Sequence, residues 1–297
     1  MPHDVVIVGG GPAGLSAALT LGRCRRRVVV VDGGEYRNAA ARAVHGLLGH
    51  DGVAPDELRR AARAAAARYG VELRHGQVVD AAPIPGGFEA RLGDGERLAG
   101  RFLLLATGVR DVWPALPGVE ALIGVTVHHC PLCDGWEHRD EPLAALGRGE
   151  TGVELALGLT TWSRDVVLFT DGQPLARSAQ AHLERYGVLS RTERVRGLEA
   201  HGSHLAAVVL DGGSRVERRA LFCHLGFEQR SDLARRLGCR FKRRGTLRVD
   251  RLGESTVPGV YVAGDAAGDV LLVAVAVAEG VKCGYAINRA LREAERP

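Results

Sequence analysis

Between His128 and Gly135 the chain reads His128-His129-Cys130-Pro131-Leu132-Cys133-Asp134-Gly135. Two thiols separated by two residues can close one disulfide across a single turn without straining the backbone. Such a turn often lowers the pKa of one thiol, so that a nucleophilic thiolate exists near neutral pH. A carboxylate directly after the second sulfur, Asp134, can then shuttle the proton that a leaving thiolate needs. From these residues alone two other uses stay open. Beside His128 and His129 the pair could form half of a zinc site, although no second CxxC completes one. The sulfurs could also be two unpaired buried thiols.

Two glycine turns define the elements that must position this chemistry. Asp4-Val5-Val6-Ile7-Val8 is a buried-type strand that runs directly into Gly9-Gly10-Gly11-Pro12-Ala13-Gly14. A helical run, Leu15 to Leu21, and a second buried strand ending at Asp32 come next. In a dinucleotide-binding unit the first Gly makes the turn and the second admits the pyrophosphate. The third lets helix and strand pack closely, the helix N-terminus faces the phosphates, and the acid takes a ribose hydroxyl. Gly9, Gly11, Pro12, Ala13, Gly14, Asp32 and Gly33 are therefore cofactor candidates. A second strand, glycine turn, helix and strand occupies Pro142 to Asp171, with Gly147, Gly149 and Gly152 as its candidates. Here the alternative is a domain that keeps the fold without the ligand. Holding a 2′-phosphate normally takes Arg or Lys just past the second strand. This chain has Thr170-Asp171-Gly172-Gln173-Pro174 there, with Arg177 as the nearby cation, which disfavours tight NADPH binding and leaves NADH or no nicotinamide.

Length and composition set the bounds. The 297 residues suffice for two domains, and 46% hydrophobic with 25% charged residues is an ordinary globular balance. Net charge is +4 and the cations are scattered among acids, so nucleic-acid binding is not expected. Arg25-Arg26-Arg27 reads as a solvated helix end. No signal peptide or membrane span is expected, since the chain enters an apolar strand at once and the run from Val270 to Ala278 is too short to span a bilayer. The expected location is cytoplasmic, where a CxxC is catalytic more often than structural. Cys24, Cys223, Cys239 and Cys283 read as inert core thiols.

The remaining segments organise around the two units. Asp56 to Tyr69 reads as an Ala/Arg-rich helix, Val71 to Val79 and Gly86 to Leu98 as short strands, and Arg101 to Leu105 as a buried strand closing on Ala106-Thr107-Gly108. The prolines at 114 and 117 suggest a domain crossing at 116–120. Leu205 to Leu210 and Arg215 to Leu225 read as further strands, and the chain is expected to cross back around Gly238 to Gly245. A strand ending in Gly264-Asp265 then leads to a long apolar helix from Val270 to Leu291, whose first turn offers free backbone N–H groups. The fold class is α/β, with two tandem Rossmann-like dinucleotide-binding domains.

These motifs, in this order and over essentially the whole length, resemble the low-molecular-weight thioredoxin reductases, a branch of the pyridine nucleotide-disulfide oxidoreductases. The resemblance implies a discontinuous FAD-binding domain, residues 1–116 and 244–297, around a central NAD(P)-binding-like domain, residues 117–243, that carries the CxxC. It implies Gly9, Gly11 and Gly14 against the FAD pyrophosphate and Asp32 on the ribose. Asn38, Thr107 and Gly108 would line the flavin, Asp265 with Gly264 would hold the ribityl chain, and Val273 and Ala274 would face the flavin ring. Cys133 corresponds to the sulfur that meets the flavin, Cys130 to the one that exchanges with substrate, and Asp134 to the proton donor. A homodimer is implied as well. Pro131-Leu132 and Gly135-Trp136-Glu137 are similar to the gliotoxin- and holomycin-type dithiol oxidases, which pass electrons from a small dithiol through flavin to oxygen. Asp134 is the reductase residue, because that oxidase group commonly has His there. Two directions are then open: dithiol to oxygen, slightly preferred for want of phosphate-binding cations, or NAD(P)H to a thioredoxin-like protein. A flavin-binding redox sensor without disulfide turnover is the reading from a different class.

Overall fold

The computed structural model describes residues 2–296. In chain order its strands and helices are β1 (His3–Val8), α1 (Pro12–Arg23), β2 (Val28–Asp32), α2 (Pro55–Ala67), β3 (Glu72–His75), β4 (Val78–Ile84), β5 (Gly87–Leu92), β6 (Arg97–Leu105) and β7 (Val109–Asp111). Next come β8 (Val127–His128), α3 (Pro131–Asp134), β9 (Leu143–Leu146), α4 (Gly149–Leu159), β10 (Val166–Phe169), α5 (Arg177–Arg185) and β11 (Leu189–Arg191). The chain closes with β12 (Val195–His201), β13 (His204–Leu210), β14 (Arg215–Glu217), β15 (Ala220–Cys223), β16 (Phe227–Gln229), α6 (Leu233–Arg236), β17 (Val260–Val262) and α7 (Val273–Ala294). They form two compact units: residues 2–39, 46–110 and 228–296 make one, residues 40–45 and 111–227 the other.

The first unit is built on a sheet ordered β3-β2-β1-β6-β5-β4, with β17 also on β6. β1 pairs in parallel with β2 and β6, aligning Val5–Val8 with Val28–Val31 and with Phe102–Leu105. Because strand side chains alternate between faces, the continuous apolar runs fill two cores at once. Val6, Val8, Val29, Val31, Leu103 and Leu105 face one core, while Val5, Ile7, Val28, Val30 and Leu104 face the other beneath α1 and α7. Fully burying each such side chain is worth roughly 1.5–3 kcal/mol. Helices α1 and α7 lie close together because Gly280 faces the Ala13 backbone, where an added Cβ would overlap it.

In the second unit β11-β10-β9-β15-β8 form a wholly parallel sheet. Under one face Leu143, Ala145 and Leu168 pack with Val153, Leu155 and Leu159 of α4. Ala144, Leu146, Val167 and Phe169 face the three-stranded antiparallel meander β12-β13-β14 through Leu205, Val208 and Leu210. Both units are thus Rossmann-like α/β bodies, and both are discontinuous in sequence.

Several expectations shift in detail. The units divide at 110/111 and 227/228, whereas the sequence suggested 116/117 and 243/244. Packing explains the difference: Trp113 and Leu116 join the second unit's core, and Leu233, Ala234 and Cys239 join the first unit's. The expected strand from Val71 to Val79 breaks into β3 and β4 at Gly76, which has φ +156°. The expected strand from Arg215 to Leu225 also divides: β14 joins the meander and β15 the parallel sheet, with Arg218 and Arg219 turning between them. Arg26 is not a solvated end residue, since its guanidinium donates to Asn288 Oδ1 and Glu295 Oε1, both at 2.8 Å. Cys24 is exposed, unlike Cys223, Cys239 and Cys283, because it lies just past the end of α1. Among the described residues no helix is long and apolar enough to cross a membrane.

Candidate active site

In the first unit β1 is followed by Gly9, whose φ of +107° belongs to glycine and whose added Cβ would overlap Ala106 O. A Cβ on Gly14 would overlap Gly9 O, so these two glycines serve the close approach of turn, strand and helix. Gly11 differs, because a Cβ there would meet no protein atom within 4 Å. It is the cap of α1, in extended conformation, and Pro12 is the first helical residue. The open space over Gly11, with the first-turn N–H groups behind it, fits the approach of a dinucleotide pyrophosphate.

Asp32 ends β2 as a buried carboxylate. Its Oδ2 accepts from the Tyr36 hydroxyl and from Arg63 of α2, and its Oδ1 accepts from the Gly34 N–H at 3.3 Å. An ionised carboxylate can accept about four hydrogen bonds, so capacity remains for a ribose hydroxyl. Burial, and then the bond to Asp32, push the Tyr36 phenol above its ordinary range. Arg59, one turn before Arg63, lies 3.9 Å over the Tyr36 ring and donates to Asn38 Oδ1 at 3.2 Å. Gly33 lies beside Gly76 in an exposed turn.

Around the same cradle, Thr107 and Gly108 come after β6, and Gly108 has φ +67° with its carbonyl accepting from Arg230 N–H at 3.3 Å. Asp265 accepts from Arg37 at 3.0 Å. Gly264, with φ +76°, donates its N–H to Glu279 Oε2 at 2.8 Å. Burial raises the Glu279 pKa, and the Gly264 N–H and Lys282 only partly offset it. Helix α7 begins at Val273, three residues after the expected start, and no side chain caps it. Val273 and Ala274 therefore sit in a first turn whose N–H groups stay open to a ligand.

The second unit repeats the cradle. Gly147 and Gly152 touch, since a Cβ on either would strike the other's backbone, and Gly149, at φ +56°, has open space in front of it. The acid standing after β10 is already engaged. Asp171 accepts from Arg148 at 2.6 Å and from Val195 N–H at 3.1 Å. Arg148 lies within the glycine turn, and Arg194 packs its stem against Gly172, so two cations approach this strand end from segments the linear sequence does not place there.

Cys130 and Cys133 are joined as a disulfide with Cα atoms 5.3 Å apart, which takes both sulfurs out of a zinc site or an unpaired-thiol arrangement. Cys130 caps the short α3 in extended conformation, Pro131 opens the helix, and Cys133 and Asp134 donate their N–H groups to Cys130 O at 3.1 and 3.2 Å. The pair is half-buried, flanked by exposed Leu132 and Trp136, with Arg139 4.3 Å over the indole. Asp134 Oδ1 stands 3.4 Å from Nδ1 of the buried His128. His128 Nε2 meets His138 Nε2 at 3.0 Å, and His138 Nδ1 meets Glu141 Oε2 at 2.9 Å. His129 instead faces Asp111 at 3.7 Å.

The other thiols differ in kind. Burial, and secondarily the Asp111 charge, push Cys223 up to about 12. Burial, with Glu279 next, does the same for Cys283, and burial raises Cys239 as well. A neutral buried thiol is a poor nucleophile. Residues that sequence reasoning missed are Arg59, Arg63, Arg148, Glu279, His138 and Glu141. The spacing of Arg59 and Arg63 by four on one helix was a usable signal. For His138 none was present beyond its nearness to the CxxC.

The profile of the family described as pyridine nucleotide-disulphide oxidoreductase matches residues 3–280. A probable thioredoxin reductase of Arthroderma benhamiae is 32% identical over 301 residues, spanning 90% of this chain and 74% of its own. Thioredoxin reductase tcpT of Claviceps purpurea is 34% identical over 282 residues, spanning 88% and 86%. The crystal structure of HlmI matches with a TM-score of 0.95 at 37% identity, covering 98% of this chain and 93% of that one.

Proposed function

The chain belongs to the pyridine nucleotide-disulphide oxidoreductases, as an enzyme of thioredoxin reductase type, and from that premise we propose that it exchanges electrons between a dithiol or disulfide substrate and FAD through Cys130 and Cys133. The observation that carries the proposal is the closed, half-buried Cys130–Cys133 disulfide with a carboxylate on the next residue. The family is FAD-dependent, with NAD(P)H as its usual partner. The cradle fits a dinucleotide through the open face of Gly11, the Asp32 carboxylate, and the uncapped first turn of α7 beside Gly264 and Asp265. We assign FAD to Gly9, Gly11, Pro12, Ala13, Gly14, Asp32, Gly33, Asn38, Thr107, Gly108, Gly264, Asp265, Val273 and Ala274 in the first unit. When bound, FAD supplies a two-electron couple for the cysteine pair.

In the direction we favour, a substrate thiolate attacks Cys130 Sγ, the Cys130–Cys133 bond breaks, and the Cys133 thiolate takes a proton from Asp134. The second substrate thiolate then attacks the substrate sulfur held on Cys130, releasing the Cys130 thiolate and a substrate disulfide. Two electrons have passed from the dithiol to the cysteines, and oxygen is the terminal acceptor. The opposite direction, from NAD(P)H to a thioredoxin-like protein, is favoured by the second cradle of Gly147, Gly149 and Gly152, which keeps its open face. Against it stands the Asp171 carboxylate after β10, which would repel a 2′-phosphate, although Arg148 and Arg194 also approach that strand end. A cytoplasmic homodimer completes the proposal.

Anaerobic mixing of the FAD-loaded enzyme with NADPH, NADH or a small dithiol, monitored by flavin absorbance, tests this. Bleaching by the dithiol alone, with peroxide formed on admitting air, is the expected result. Rapid bleaching by either nicotinamide overturns the oxidase direction, and no bleaching by any donor overturns the exchange itself.

A further inference from the structure

Two buried histidines next to the disulfide have no part in that exchange. His128 ends β8, and its ring lies 5.3 Å from the Phe222 ring of β15, tilted by 31°. His138 meets the same Phe222 ring edge-on at 6.3 Å. The histidine side chains are 5% and 11% exposed, whereas Glu141 at the far end is 43% exposed. Four polar groups thus form a line from Asp134 to the surface, within the second unit: Asp134 Oδ1, His128, His138 and Glu141 Oε2, at 3.4, 3.0 and 2.9 Å.

Two of the three contacts, His128 Nε2 to His138 Nε2 and His138 Nδ1 to Glu141 Oε2, have hydrogen-bond geometry, and two neutral imidazoles supply the hydrogens they need. Asp134 Oδ1 stands 3.4 Å from His128 Nδ1, so a small approach closes the third contact. Shifting each hydrogen across its contact then moves a proton from one end of the line to the other. Burial holds the rings to this pairing, because an unsatisfied ring nitrogen costs about 1–3 kcal/mol. Asp134 from α3 and Glu141 are the charged groups that face the two rings, and Phe222 from β15 covers them. Nearby, His129 pairs with Asp111 and His45 with Glu137.

We infer that His128 and His138 are a proton conduit that reloads Asp134 from Glu141 and solvent while Cys130 and Cys133 turn over. The inference rests on the redox assignment of that pair. When the Cys133 thiolate leaves, Asp134 gives it a proton, and an S–H bond replaces the O–H bond. In the inward-donating arrangement Glu141 is protonated, His138 carries its hydrogen on Nε2 and His128 on Nδ1. His128 Nδ1–H then gives its proton to Asp134, His138 Nε2–H passes its hydrogen to His128 Nε2, and Glu141 gives its proton to His138 Nδ1, leaving both rings neutral as the opposite tautomers. Glu141 recovers its proton from water. One proton has moved inward and no electrons have changed place. The reverse order exports a proton when the pair is reoxidised. His128 and His138 act through Asp134 and are positioning residues.

The test is reduction of the Cys130–Cys133 disulfide by dithiothreitol in the FAD-loaded protein, quenched with iodoacetamide and read by mass, at pH 6 to 9 in water and deuterium oxide. His128→Gln, His138→Gln and Glu141→Gln should slow reduction at high pH by roughly 100-fold, the lower end of what positioned proton transfer contributes. The deficit should shrink toward pH 6, where hydronium supplies the proton without the line, and added imidazole should restore part of the rate in His138→Gln. Wild-type rates and pH profiles in all three variants overturn the conduit. If a histidine variant fails to fold, Glu141→Gln at the exposed end decides alone. A wild-type disulfide that resists dithiothreitol would overturn the redox assignment, a result distinct from failure of the conduit.

Discussion

Two glycines three residues apart in the first cradle should respond oppositely to one methyl group. At Gly14 an added Cβ lies well inside 3.0 Å of Gly9 O and near Ala106 Cβ at 3.3 Å, so the turn or α1 must move. Overpacking of this kind costs about 1–3 kcal/mol, which in a unit of this size lowers the melting temperature by roughly 2–4 °C per kcal/mol. At Gly11 the Cβ meets nothing within 4 Å and the backbone is extended, φ −76° and ψ −176°, a conformation alanine accepts. Gly11→Ala should leave the FAD-free protein at or slightly above wild-type stability, by up to about 1 kcal/mol through the unfolded chain. In the proposed FAD seat the same methyl stands where the pyrophosphate would approach backbone. Losing even one phosphate hydrogen bond, about 1–3 kcal/mol, weakens FAD roughly tenfold or more. Thermal melts of FAD-free protein and FAD titration by flavin fluorescence separate the effects. Gly11→Ala that binds FAD like wild type would falsify the seat of the pyrophosphate over that turn.

Iodoacetamide on the native, oxidised protein should label Cys24 alone; Cys223, Cys239 and Cys283 should react only after unfolding, and Cys130 and Cys133 only after reduction, as peptide mass mapping would show. Labelling of Cys283 in the folded state would contradict its burial. Glu279, whose folded pKa lies above its unfolded value, binds its proton more tightly in the native state, so its contribution to stability is full below the unfolded pKa of about 4.5 and declines as pH rises through the folded value. Glu279→Gln should therefore gain on wild type in melting temperature between pH 4 and pH 8, and a constant difference would refute the assignment. Gly280→Ala forces α7 off the Ala13 backbone and should destabilise the first unit by about 1–3 kcal/mol, checked by denaturant unfolding of the FAD-free protein.

Much of the architecture was legible because it rests on local pattern. The runs Val5–Val8 and Val28–Val31 are apolar at every position, so only a strand buried on both faces suits them, and the glycines just past β1 and β9 admit little else. The hidden part depends on segments far apart in sequence. Arg63 reaches Asp32 from a helix 31 residues on, and Arg194 reaches Gly172 from a loop after β11. The edges of the units were misplaced for the same reason: prolines 114 and 117 are visible, whereas the burial of Trp113, Leu116 and Cys239 in one core or the other is decided by packing. His138 is ten residues from His128, and no periodicity predicts their meeting. The turns between α3 and β9 bring them together.

The two cradles share a plan and differ in how their acids are matched. Asp32 is paired with Arg63 and Tyr36, from α2 and the loop after β2, so the glycine turn after β1 takes no part in that pairing. Asp171 is matched by Arg148, which belongs to the glycine turn itself, so a ribose hydroxyl seeking Asp171 must compete with that guanidinium. The Arg148 side chain is 51% exposed, and exposed pairs are worth about 0–1 kcal/mol. Displacing it lowers nicotinamide affinity by at most roughly fivefold. A penalty of that size cannot close the second cradle. The proposed bias toward dithiol as electron source therefore rests on the Asp171 carboxylate, which would repel a 2′-phosphate although Arg148 and Arg194 stand beside it, and it weighs more against NADPH than against NADH.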